Sequence, residues 1–250
     1  MIFVPGFMQR GEAWSPVAEL VGERYPSALL DFRTHSFEGR LGELRAAARP
    51  GTVPVGYSLG GRLVLQLAAR EPQRFAALVT VGASPGIDDP AERAERRARD
   101  EELAAWMERS TIEDVVARWE RLPVFEGQSD ELVAGQREGR RSHDPRLLAK
   151  LLRDAGQGAL PSVWEELRRL ERPVLALAGE RDERYVTAAR RIAQLAPRGD
   201  ARSVPEAGHA AHLERPETVA GLVLEFLDQN LAEDVVLDRD PETGPLRNGQ

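Results

Sequence analysis

Val55-Gly56-Tyr57-Ser58-Leu59-Gly60-Gly61-Arg62 is the stretch on which the fold turns. It continues the apolar run Val53-Pro54-Val55 and opens a segment in which Leu59, Leu63 and Leu67 share one helical face, so Ser58 is expected at a sharp strand-to-helix turn. Such a turn folds the backbone back and lifts the hydroxyl clear, leaving room only for small residues two places to either side. Gly56, Gly60 and Gly61 meet that need. A helix-capping serine in an ordinary turn would leave a similar trace, so the surroundings decide.

Working outward, the short apolar runs Ile2-Phe3-Val4, Ala28-Leu29-Leu30, Leu78-Val79-Thr80-Val81, Val174-Leu175-Ala176-Leu177-Ala178 and Ala201-Arg202-Ser203-Val204 alternate with longer amphipathic stretches. Alternation of this kind predicts an α/β fold with a mainly parallel sheet flanked by helices on both faces. Pro54 has no amide to give a central strand, and a local bulge is expected there. The long interval between the runs at Leu78 and Val174 shows no strand pattern and exceeds an ordinary connection. Within it Leu103, Trp106 and Met107, then Ile112, Val115, Val116 and Trp119, then Leu147, Leu148, Leu151 and Leu152 keep helical spacing. An inserted helical cap is therefore expected at residues 84–165, with the core formed by 1–83 and 166–232. Residues 233–250, which contain Asp238-Arg239-Asp240-Pro241, lose periodicity and read as a flexible tail.

The 250 residues, 42% of them hydrophobic, suffice for one well-packed core, and a net charge of −7 argues against nucleic acid as a partner. With no cysteine, neither a thiol nucleophile nor a thiolate metal site is available. No ligand cluster or phosphate-cradling loop is recognisable, so no metal and no cofactor are expected. The chain shows neither a secretory leader nor a stretch approaching a membrane span, which leads to an expectation of a cytoplasmic protein. No oligomeric partner is evident.

A serine hydroxyl becomes reactive only when a base takes its proton, and the base needs a carboxylate to orient it. Both occur in the order Ser, Asp, His that an α/β-hydrolase fold demands. Ala178-Gly179-Glu180-Arg181-Asp182 puts Asp182 past the fifth run, and Pro205-Glu206-Ala207-Gly208-His209 puts His209 past the sixth. His35, His143 and His212 lack this placement. Ser58, Asp182 and His209 are thus the expected catalytic residues. The oxyanion hole is expected from the main-chain amides of Leu59, after the serine, and of Phe7, where Gly6 lets the backbone approach a ligand.

Several of these stretches resemble the 2-succinyl-6-hydroxy-2,4-cyclohexadiene-1-carboxylate synthase (MenH) family of menaquinone biosynthesis, within the α/β-hydrolase superfamily. The resemblance rests on the Ser58 stretch with Tyr57 and Arg62, on Ser84-Pro85-Gly86 and on Ala94-Glu95-Arg96-Arg97. Further support comes from Trp119 with Pro123-Val124-Phe125, Gly156-Gln157-Gly158, Gly179-Glu180-Arg181-Asp182 and Gly208-His209-Ala210-Ala211-His212. It implies a carbon–oxygen lyase that removes a ring proton and eliminates pyruvate without a cofactor. The implied substrate is a small anionic carboxylate, and the planar fork of arginine suits it. Tyr57, Arg62, Arg96, Trp119 and Arg141 are the substrate-binding residues the resemblance implies, with Arg140 equally possible by register. Glu92, Glu95, Asp100 and Glu101 interleave with Arg93, Arg97 and Arg99, which read as a solvated helix face.

The same triad would serve a carboxylesterase or C–C bond hydrolase, and a non-catalytic ligand-binding module is the remaining alternative. The chain departs from the family at Pro5, where a histidine is usual, and at Asp31-Phe32-Arg33-Thr34-His35-Ser36, where a glycine-rich turn is usual. Little room for a helix is expected between His35 and Val53, and the lack of edge strands should expose one side of the sheet.

Overall fold

The computed structural model describes residues 1–231, so the tail expected at 233–250 lies outside the described residues. Six strands, β1 (Ile2–Val4), β2 (Ala28–Leu29), β3 (Pro54–Tyr57), β4 (Leu78–Val81), β5 (Val174–Gly179) and β6 (Gly199–Val204), form one sheet in the order β2-β1-β3-β4-β5-β6. All neighbours run parallel. Side chains alternate across it: Ile2, Val4, Leu78, Val174 and Ala176 enter one core, while Phe3, Val55, Val79 and Leu175 enter the other, following the two-residue repeat of a strand. The first core is covered by α2 (Phe37–Ala47), α3 (Leu59–Arg70) and α9 (Glu183–Leu195), and the second by α1 (Ser15–Gly22), the single turn α10 (Ala211–Glu214) and α11 (Pro216–Leu231). Strands covered on both faces have no polar side to show, which is why they read as unbroken apolar runs.

Two expectations need correction. Pro54 causes no bulge: it opens β3, the register Ile2 to Pro54, Phe3 to Val55, Val4 to Gly56 is continuous, and Ile2 N–H donates to Val53 O at 3.0 Å. The first position of a strand tolerates a missing amide. Between His35 and Val53 there is room for a helix after all, namely α2, whose N-terminus is capped by Ser36 accepting from Gly39 N–H at 3.2 Å. Phe37, Leu41 and Leu44 bury one face of it. The edge strand β2 is short and both its residues are exposed.

Between β4 and β5 the chain forms α4 (Pro90–Met107), α5 (Ile112–Trp119), α6 (Asp130–Gly135), α7 (Arg137–Arg141) and α8 (Pro145–Ala155). Asp89, Thr111, Ser129 and Asp144 accept from the first-turn amides of α4, α5, α6 and α8, each cap stabilising by about 1 kcal/mol. Ala104, Met107, Val115, Val116, Leu148, Ala149 and Leu152 make a separate apolar cluster, and Met8 from the β1 loop enters it. Leu147 shares the helical spacing but is 41% exposed. No helix among the described residues is long and apolar enough to cross a membrane.

Candidate active site

Three strands each deliver one residue at the same edge of the sheet. Beyond β3, Ser58 adopts φ 48° and ψ −108°, a conformation that costs a non-glycine residue on the order of 1–3 kcal/mol. Its surroundings enforce it. Ser58 N–H donates to Val81 O at 2.9 Å and Arg62 N–H to Ser58 O at 3.0 Å. A Cβ on Gly60 would collide with the carbonyl oxygens of Val4 and Pro5, so the turn packs against β1 only because that atom is missing. Beyond β5, Asp182 stands immediately before α9, its N–H donating to Gly179 O at 2.9 Å. Beyond β6, His209 is 6% exposed, with Tyr57 and Tyr185 rings 5.3 and 4.7 Å from its own.

These three side chains meet. His209 Nδ1 lies 2.6 Å from Asp182 Oδ2 and His209 Nε2 lies 3.2 Å from Ser58 Oγ. A carboxylate beside Nδ1 holds the proton there, which leaves Nε2 as the acceptor facing the serine. Leu59 begins α3, and the first amide of a helix has no intrahelical acceptor, so its N–H is free for a ligand. Phe7 lines the same cavity.

That cavity has a volume of about 470 Å³. A larger one of about 590 Å³ adjoins it, sharing Gln9, Gln136 and Arg140 but containing no member of the Ser58, Asp182, His209 set. All three line the smaller cavity. Its walls carry Arg62, Arg96, Arg99, Arg140 and Arg184 against Asp100 and Asp182, an excess of positive charge in a chain of net charge −7. Arg62 has no carboxylate within ion-pair distance among the described residues. Its nearest bond is to Ala155 O at 3.4 Å, and burial lowers its pKa to about 10, still charged at neutral pH. Arg96 bonds Asp100 at 2.8 Å and also the amide oxygen of Gln157. Arg140 bonds Glu120 at 3.1 Å and Gln136 at 2.8 Å.

Of the substrate-binding residues expected from the sequence, Tyr57, Arg62, Arg96 and Trp119 line the cavity. Arg141 does not. It is exposed, whereas Arg140 is 3% exposed and in the wall, because consecutive helical residues point about 100° apart. Sequence reasoning missed Gln9, Tyr185 and Gln157, whose Nε2 donates to Tyr185 Oη at 3.0 Å. Tyr185 could have been found from its place one turn past Asp182.

Two histidines outside the Ser58, Asp182, His209 set are neutral, His212 fully buried and His143 half-buried. Burial takes His212 down to about 3 and His143 to about 4, against about 6.5 in an unfolded chain. The unfolded state therefore binds more protons below pH 6.5, and folding free energy is lost as pH falls through that window. For the fully buried His212 the loss is about 2 kcal/mol at pH 5, and for the less buried His143 somewhat less. Urea unfolding at pH 7.5, 6 and 5 is expected to show this decline, and a flat profile would contradict the burial of these rings.

Residues 1–222 match the family described as alpha/beta hydrolase family, and the chain belongs to it, an enzyme of that superfamily. Its relatives narrow the class. It is 36% identical over 176 residues to a Bacillus subtilis protein that carries the provisional name 2-succinyl-6-hydroxy-2,4-cyclohexadiene-1-carboxylate synthase. That match covers 69% of this chain and 64% of the relative, so less than two thirds of the relative's length is spanned. It is 27% identical over 245 residues to the synthase of that name from Serratia proteamaculans, covering 91% and 92% of the two chains. MenH from S. aureus has a similar structure, with a TM-score of 0.86 at 29% identity over 92% of this chain and 93% of that one.

Proposed function

We propose that the chain eliminates pyruvate from 2-succinyl-5-enolpyruvyl-6-hydroxy-3-cyclohexene-1-carboxylate, giving 2-succinyl-6-hydroxy-2,4-cyclohexadiene-1-carboxylate in menaquinone biosynthesis. The observation that carries this reading is Arg62, a charged guanidinium in the cavity wall one helical turn past Ser58 and without a carboxylate partner among the described residues. A buried charge with no carboxylate partner from the protein is costly unless a ligand supplies the opposite charge. The substrate, with three carboxylates, does so, and Arg96 and Arg140 offer further forks. Trp119 and Tyr57 supply flat apolar surface for the ring.

The chemistry follows from the substrate's connectivity. His209 Nε2 takes the Ser58 proton, and the serine oxygen takes the proton from ring carbon 2, beside the succinyl carbonyl. The enolate oxygen so formed is held by the Phe7 and Leu59 amides. As its electrons return, the 2,3 double bond forms, the 3,4 pair moves to 4,5, and the bond from carbon 5 to oxygen breaks. The proton on His209 passes to the departing enolpyruvate, which becomes pyruvate, and no water is consumed. Asp182 stabilises the imidazolium in between. We place this reaction in the cytoplasm.

The 3.2 Å approach of Ser58 to His209 also suits acyl transfer, which makes ester hydrolysis the competing reading. Product identity separates them. With purified protein and no added metal or nucleotide, pyruvate release from the enolpyruvyl precursor, read by coupled reduction, is expected to be rapid and cleavage of activated aryl esters slow. Rapid Ser58-dependent ester cleavage without pyruvate release would establish the hydrolase instead, and binding without turnover of either compound would make the site a receptor.

A further inference from the structure

His212 lies three residues past His209 and is fully buried, its ring 4.2 Å from that of Tyr57 and 4.4 Å from that of Trp14. Its Nε2 stands 3.3 Å from Gln9 Nε2, and Gln9 Oε1 accepts from Gly6 N–H at 3.1 Å. These two contacts fix each other's polarity. A main-chain N–H can only donate, so the Gln9 oxygen faces Gly6, the Gln9 amide nitrogen donates toward His212, and His212 Nε2 is the acceptor. The imidazole then carries its proton on Nδ1, an atom with no partner among the described residues. Burial lowers its pKa to about 3, so near neutral pH the ring is uncharged and Nε2 is free to accept from Gln9.

What is held in this way is the turn that carries Phe7. Gln9 N–H donates back to Gly6 O at 3.4 Å, closing the turn, and Met8 within it adopts φ 57°, an unfavourable conformation for a residue with a Cβ. A Cβ on Gly6 would stand 2.7 Å from the Tyr57 ring, so the loop is pressed against the residue before Ser58. Met8 is 2% exposed and packs among the helices between β4 and β5. A turn under strain keeps one geometry only if its surroundings over-determine it.

We propose that His212 and Gln9 are positioning residues that hold the Gly6–Phe7 peptide so that the Phe7 amide points at the developing oxyanion. The proposal rests on Phe7 as an oxyanion donor, a role that the elimination and the competing ester hydrolysis share. An oxyanion contact forms only in the transition state, so loosening it lowers kcat and leaves KM nearly unchanged.

The test uses Gln9→Leu, His212→Phe, the double variant and His212→Gln, assayed on whichever of the two substrates the wild type turns over. Each single variant is expected to lose about 10- to 100-fold in kcat, part of the cost of deleting one oxyanion donor, with KM within about twofold. The double variant should be no worse than the worse single one, since the two residues act as one unit. His212→Gln, which keeps an acceptor at similar reach, should recover most of the activity. Gln9→Leu, at a less buried position, covers the case in which His212→Phe unfolds. Independently of turnover, long-range ¹H–¹⁵N spectra of the wild type are expected to show His212 as the Nδ1–H tautomer, with the signal moving in Gln9→Leu. Unchanged kcat, additive losses, a loss carried by KM, or an Nε2–H tautomer in the wild type would each overturn the proposal. If the wild type turns over neither substrate while the Nδ1–H tautomer is seen, the functional reading fails and the Gln9–His212 polarity stands.

Discussion

Replacing Ser58 with alanine is expected to lower turnover by at least about 10³-fold, the order contributed by a positioned proton-transfer group, while the protein stays folded. The Ser58 hydroxyl bonds only His209 among the described residues, and the turn is held by main-chain bonds to Val81 and Arg62 that alanine keeps. His209→Ala should fall as far, and the double variant little further, because neither group works without the other. Asp182→Asn should also be severe: an amide in place of the carboxylate that sits 2.6 Å from Nδ1 would favour the wrong tautomer. Ser58→Gly makes a useful control, since glycine accepts φ 48° without strain. It is expected to be as inactive as Ser58→Ala and at least as stable. Thermal unfolding beside steady-state rates checks both parts, and full activity in either Ser58 variant would remove the serine from the chemistry.

Arg62→Ala is the second large effect. On the anionic precursor it should cost about 2 kcal/mol or more in kcat/KM, roughly 30-fold, as expected for loss of a charge-assisted pair in a desolvated site. Stability should hold or rise, because the guanidinium is desolvated and no carboxylate is left behind when it goes. Arg96→Ala behaves differently. It strands Asp100, which is 6% exposed and bonded to Arg96 at 2.8 Å, so activity and stability should fall together. A neutral ester should register Arg62→Ala scarcely at all. Equal losses on charged and neutral substrates would make Arg62 a structural residue.

Much of this was legible in the sequence because its causes are local. Strands covered on both faces advertise themselves as apolar runs, and a serine in a turn walled by β1 needs Gly60, so both sheet and elbow could be read from residue type and spacing. Helix α2 was hidden because Gly39, Gly42 and the buried Arg40 interrupt its apolar period; Arg40 is accommodated by Thr34 O at 3.1 Å and the Phe32 ring at 4.6 Å, contacts that no periodicity reports. Arg140 and Arg141 stood open in the sequence because the five residues of the short helix α7 are too few to fix a face, and it is Arg140 that lines the cavity. The bond between Gln9 and His212 joins positions 203 apart. Nothing in either segment foretells it, since the pairing exists only once the loop after β1 and the helical turn after β6 arrive at the same edge of the sheet.

The central claim is that this triad eliminates rather than hydrolyses, and the balance of products tests it most directly. Pyruvate and the conjugated cyclohexadiene should be followed together after the purified protein meets the enolpyruvyl precursor, with Ser58→Ala run in parallel. The account predicts one pyruvate for each diene at every time point, with both signals lost together in Ser58→Ala. Consumption of the precursor without either product, or formation of both at the wild-type rate by Ser58→Ala, would contradict it.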